Sequence, residues 1–159
     1  MKIKLTKKQY KNLLKLVYLG NWMVNSIRSG NEGDERIKKY DEIEQYIFSF
    51  AKEAGLEKYI EFDKEFNRFF PTLEFEENTD VSKYIQDYEE EVFWEELVLR
   101  LARRDFIRKY GRTAILKMNL EERIAKEYPF EKKYRKEIEK NGLKNLEISK
   151  PPKKVKCLK

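Results

Sequence analysis

No histidine occurs anywhere in this chain, and its only cysteine is Cys157. The first absence removes Ser-His-Asp and Cys-His nucleophile systems, histidine acid–base chemistry and nearly every zinc site. The second removes a disulfide framework and any thiolate metal centre. Four prolines and six glycines leave long stretches free to be helical. Long apolar runs are missing too. The nearest, LLKLVYLGNWMV, is interrupted by Lys15, Gly20 and Asn21 and is too short to span a bilayer. The N-terminal MKIKLTKKQYK has no apolar segment behind its bases, so no signal peptide is expected. A soluble cytoplasmic protein without a membrane partner is the expectation.

What the chain does have is grease and charge together. Apolar residues make up 40% and aromatics 14% of its 159 residues, against 40% charged. That is enough apolar surface for a real core in a domain of ordinary size, and it argues against wholesale disorder.

Local signals point to helices. Thr6 and Gln9 form a capping box, with Leu5 and Tyr10 at staple spacing. Tyr10, Leu13, Leu14, Val17, Val24 and Ile27 then recur at helical period. Gly20 falls inside that pattern, where the close approach of another helix would explain it. Asp34 is a suitable cap for a second helix turning Ile37, Tyr40, Ile43, Ile47, Phe50, Ala51 and Ala54 inward. Gly55 stops that helix, with Leu56 at the apolar position of a Schellman motif.

Tyr59, Phe62, Phe66 and Phe69 repeat at helical spacing until Pro71, and TLEFEEN reads as a connector. A long central helix is predicted from about residue 79 to 110, Asn119 with Glu122 opens another, and Pro129 fits the first turn of a last one. Nothing alternates strand with helix, and no Gly-rich phosphate loop is present. The fold class expected is all-α: a compact single-domain bundle of five or six helices over residues 1–148, with a flexible basic tail at 149–159. A short two-stranded pairing of the termini, KIKL with LEIS, is compatible with it.

Charge is segregated along the chain. Residues 1–29 carry +7, residues 30–99 carry −13 and residues 100–159 carry +12. The flip is sharpest in DYEEEVFWEELVLRLARRDFIRKYG, with acids early and bases late, as a helix dipole prefers. Its middle, from Val92 to Ala102, is apolar on all sides, which predicts burial by neighbours. Glu96 and Arg100 have the favourable four-residue spacing for a structural ion pair inside that belt. Glu91 and Glu95 are candidate ligands for an all-oxygen Mg²⁺ or Mn²⁺ site, the one metal chemistry a histidine-free bundle leaves. The tyrosines, among them Tyr10, Tyr40, Tyr59 and Tyr84, sit at core-facing spacing.

Three functions stay open. The first is a non-enzymatic helical protein that needs no cofactor and binds another protein, with Tyr18, Trp22 and Phe70 as anchors if exposed; a homodimer is compatible with it. The second is sequence-nonspecific nucleic-acid binding through Arg100, Arg103, Arg104 and Arg108, aided by Lys153, Lys154 and Lys156 of the tail. The third is a carboxylate-based, Mg- or Mn-dependent enzyme.

Overall fold

A computed structural model describes residues 2–147, so Lys153, Lys154, Lys156 and the rest of the basic tail lie outside the described residues. Six helices and one two-stranded antiparallel sheet are found there: α1 (Lys7–Asn25), α2 (Lys38–Phe48), β1 (Ile60–Asp63), β2 (Arg68–Pro71), α3 (Leu73–Asn78), α4 (Val81–Tyr110), α5 (Arg112–Lys117) and α6 (Leu120–Asn141). The chain is mostly helical with a long α4, as expected. Its packing divides after Glu89 into two units. Among the described residues no helix is long and apolar enough to cross a membrane.

In the first unit, α1 starts where its capping box says it should: Thr6 accepts from the Gln9 N–H, and the Gln9 side chain accepts from the Thr6 N–H at 2.9 Å. Helix α2 runs antiparallel beside it. The Tyr10 hydroxyl, near the start of α1, donates to the Ile47 carbonyl at the end of α2. At the opposite ends, Asn21 and Asn25 meet Asp41 and Ile37. The core beneath joins Tyr10, Leu14, Phe48, Leu56, Tyr59, Ile60, Phe75 and Val81.

Asp34 does not cap α2. Its carboxylate closes the preceding loop by accepting from the Ser29 N–H at 2.8 Å, and α2 begins only after Ile37. The Schellman motif does form at Gly55. Leu56 N–H reaches the Ala51 carbonyl at 2.8 Å and Gly55 N–H reaches that of Lys52 at 3.0 Å, although the intervening residues are turns rather than a continuation of α2.

The aromatic segment 59–70 is a hairpin and not a helix. Phe62 faces Phe69 across it and Glu61 faces Phe70. Asp63 makes the turn by accepting from the N–H groups of Glu65 and Phe66, and Asn67 adopts the left-handed conformation the turn requires. Gln45 then clamps the outer edge of β2, its side chain both donating to the Phe69 carbonyl and accepting from the Phe69 N–H. The two-stranded sheet is therefore this hairpin, while Lys2–Leu5 form no strand and Ile148 and Ser149 lie outside the described residues. TLEFEEN is likewise not a connector: Thr72 caps α3, which exists because it buries Phe75 completely.

In the second unit, residues 90–110 of α4 run antiparallel to α6 around Val98, Ala102, Phe106 and Ile115. The Asn119 side chain caps α6 by accepting from the Glu122 N–H at 2.8 Å, while the Glu122 carboxylate turns to Lys126. Pro129 does not start a helix but sits inside α6. It leaves the Ala125 carbonyl without its helical donor, which water can replace because Ala125 is exposed.

Gly20 approaches no other helix: a Cβ built there meets nothing within 4 Å. Its backbone is helical and its surface open, so it only weakens α1. Gly20→Ala is expected to raise the stability of the first unit by about 1 kcal/mol in urea unfolding. No gain would mean that α1 needs the glycine for something the chain's own packing does not show.

Candidate functional site

The α1–α2 pair ends differently at its two ends. At one end it is locked by polar groups. Asn25, fully buried, donates to the side-chain amide oxygen Oδ1 of Asn21 at 2.7 Å and accepts from the Ile37 N–H at 2.7 Å. Asn21 in turn donates to Asp41 at 3.0 Å and to Glu44 at 2.9 Å. Asp41 receives two bonds from the Arg36 guanidinium, at 2.8 and 3.1 Å, with Arg68 at 3.8 Å. Those Arg36 bonds, with the Asn21 donation, hold the Asp41 carboxyl below its ordinary range. Burial instead pushes the Glu44 carboxyl up to about 7, with the neighbouring Asp41 charge adding to the rise. No buried side-chain polar atom among the described residues lacks a partner, so this knot has no vacancy for a ligand. Its physical effect is to fix the two helices against each other.

The other end is open. Between the extended arm at residues 3–5, the start of α1 and the end of α2 lies a groove of about 670 Å³. Tyr10, Leu13 and Ile47 form its floor; Ile3 and Leu5 wall one side, Tyr46 and Phe50 the other. Ile3 is 70% exposed and Tyr46 61%, and Leu5 and Phe50 are exposed as well. The Tyr46 and Phe50 rings support each other edge to face at 5.0 Å. Ile43, one turn earlier on α2, is also exposed and extends the apolar face. Here the inward face expected for α2 is corrected: Tyr40, Ile43 and Phe50 look outward, and only Ala51 and Phe48 are fully covered. An apolar surface of this kind, left wet, costs free energy of hydration unless something covers it.

The arginine stripe is drawn into ion pairs. Arg100 pairs with Glu96 at 2.8 Å, Arg103 with Glu127 at 3.1 Å, and Arg104 and Arg108 both with Asp105, at 2.9 and 3.3 Å. Tyr134 completes the last cluster, donating to Asp105 and accepting from Arg104. The Arg104 bond and that hydroxyl pull the Asp105 carboxyl down to about 2. All of these sit in the second unit, where three carboxylates stand against the four guanidiniums a polyanion would meet. The Glu96–Arg100 pair is not inside a buried belt, since its side chains are 51% and 80% exposed. The belt itself is incomplete, with Val92, Phe93 and Leu99 facing water. Of the four tyrosines expected in the core, Tyr10 and Tyr59 are buried, whereas Tyr40 and Tyr84 are exposed. Tyr18 and Trp22 are half-buried, Tyr18 edge-on to Phe75, and Phe70 is exposed.

Glu95 does not wait for a metal. Arg135 holds both of its oxygens, at 2.8 and 2.9 Å, and keeps its carboxyl below the ordinary range. Glu91, exposed, lines the same pocket as Glu95 and Arg135 without bonding to either, and among the described residues no group of three acidic or thiol side chains could hold a metal ion. Because the Glu95 pair is solvent-facing, Glu95→Gln is expected to cost under about 1 kcal/mol. Millimolar Mg²⁺ or Mn²⁺ should leave the melting temperature of both proteins unchanged; a metal-dependent rise lost in the variant would restore the metal site.

No family model, curated protein or solved structure matches the chain at a significant level.

Proposed function

We propose that this is a non-enzymatic protein that acts by binding a protein segment in the α1–α2 groove. One observation carries the reading: four exposed apolar side chains, Ile3, Leu5, Tyr46 and Phe50, converge on an apolar floor between helices whose other end is locked. A rigid frame around an open apolar groove is what helix- and peptide-binding surfaces require, because ordering costs are already met before the partner arrives. The arginine stripe supports a phosphate partner less well, since each guanidinium already faces a carboxylate.

A displayed peptide library selected on the full chain tests this, with a Tyr46→Asp/Phe50→Asp variant as counter-target. Both side chains are exposed, so the variant should keep its fold. Enriched peptides should carry at least two large apolar residues and bind the variant at least roughly tenfold more weakly. Peptides that bind both proteins equally would place recognition elsewhere.

A further inference from the structure

The two edges of the β-hairpin are treated differently. On β2 the Gln45 side chain donates to the Phe69 carbonyl at 2.9 Å and accepts from the Phe69 N–H at 2.7 Å, so its amide takes the place a third strand would fill. An N–H engaged there cannot also serve the hairpin ladder. Phe62 and Phe69, which face each other in the register, are therefore a non-hydrogen-bonded pair, and Phe62 turns its own N–H and C=O away from β2. The alternation holds on either side. Pro71, opposite Ile60, has no N–H to give, and beyond it the Thr72 N–H reaches the Tyr59 carbonyl at 3.0 Å. Ile60 and Phe62 thus direct their peptide groups outward from β1, and among the described residues neither has a backbone partner outside the hairpin. Donors and acceptors in a row at strand spacing are completed by another extended chain, which adds itself to the edge.

The side chains say which kind of chain fits. Glu61 and Asp63 stand on one face of β1, with Ile60 and Phe62 on the other. Ile60 belongs to the core, whereas Phe62 is 46% exposed. Glu61 is exposed and has no ion-pair partner among the described residues. Asp63 serves the turn through one oxygen, and Arg68 across the hairpin from it lies 3.8 Å from Asp41 instead. Lys64, in the turn, is the only base from residue 60 to residue 66. A second copy's β1 would fit poorly. Pairing it antiparallel through Phe62 sets Glu61 against Asp63, and shifting the register by two sets Glu61 against itself. Like charges directly opposite destabilise a sheet, and opposite charges stabilise it. We infer that the outer edge of β1 binds an extended protein segment in which Lys or Arg alternates with apolar residues. It adds antiparallel, with an apolar residue opposite Phe62 and bases opposite Glu61 and Asp63. This surface shares no residue with the α1–α2 groove.

A capped heptapeptide of alternating Lys and Val, with Lys at both ends, tests the inference when titrated into the isotope-labelled full chain at low salt and followed by amide-resolved NMR. The valine opposite Phe62 exchanges both hydrogen bonds with it, so N-methylation of the valines should weaken binding at least about tenfold. N-methylation of the lysines, whose N–H groups point away from β1, should change it by less than about twofold. The Phe62 amide should be open to exchange in the free chain and protected in the complex. Glu61→Lys, at an exposed position, should weaken binding roughly fivefold and leave the rest of the spectrum in place. Equal binding of the two methylated peptides, binding that leaves the Phe62 amide unprotected, or no binding up to about 1 mM would overturn the inference. So would a Phe62 amide already protected in the free chain, because the edge would then be occupied.

Discussion

Asn25→Leu is expected to destabilise the first unit by about 4 kcal/mol. The two side chains share branching and heavy-atom count, and leucine is the larger, so the loss does not come from a cavity. It comes from groups that Asn25 alone satisfies at the buried end of α1: the Ile37 N–H that opens α2 and the side-chain Oδ1 of Asn21. Leaving a buried donor and a buried acceptor without partners costs about 1–3 kcal/mol each. The disturbance then spreads, because Asn21 is oriented by Asn25 and is itself the donor shared by Asp41 and Glu44. Tryptophan fluorescence can follow it, since Trp22 lies in the first unit and Trp94 in the second. In a Trp94→Phe background, urea unfolding reports on Trp22 alone. A loss under about 1 kcal/mol would show that the knot is not what holds α1 against α2.

Glu44→Gln should act in the opposite direction. Burial raises the Glu44 carboxyl from 4.5 to about 7, Asp41 adds to the rise, and the Asn21 donation, Arg68 and Arg36 oppose it. Tyr18 also faces the group, its own hydroxyl raised by burial and by the charges of Glu76 and Glu44. The folded protein therefore binds a proton here that the unfolded chain releases between pH 4.5 and about 7. Through that window stability falls as pH rises, and above it the ionised carboxylate is a standing cost. Linkage gives ~3 kcal/mol, and partial exposure of the group reduces it to ~2 kcal/mol. Glu44→Gln should gain about that much at pH 8 and nearly nothing at pH 4, measured by urea midpoints across the range. Asp41 carries the opposite sign: its lowered carboxyl stabilises above 3.8 and loses that contribution only in stronger acid. A variant that gains equally at both pH values would owe its stability to something other than this ionisation.

These side chains also show what could be foreseen. Chemistry local to a few residues was legible: the Thr6–Gln9 box, the Asn119 cap, the Gly55–Leu56 turn and the extent of α4 all follow from neighbours in sequence. The hairpin was not, because Tyr59, Phe62, Phe66 and Phe69 have a spacing that suits a helix. What decides against it is a turn at Asp63 and a clamp from Gln45, which is 24 residues from Phe69. The groove was half legible. Tyr46, Ile47 and Phe50 mark an apolar face of α2, but periodicity says only that a face is apolar and never whether the chain covers it. The reverse happened on α4, where the arginines were easy to find and their partners Glu127 and Tyr134 were not, because these come from α6. A helix whose apolar residues exceed what one neighbour can bury signals exposed surface as much as burial, as Val92, Phe93 and Leu99 show.

Hydrogen exchange of the full chain, with and without the tightest peptide selected on it, tests the groove most directly. The expected result is added protection in residues 2–14 and 43–54, which frame the groove, and little change along the arginine stripe from Arg100 to Arg108. Protection centred on that stripe, or no protection by a peptide that demonstrably binds, would contradict it.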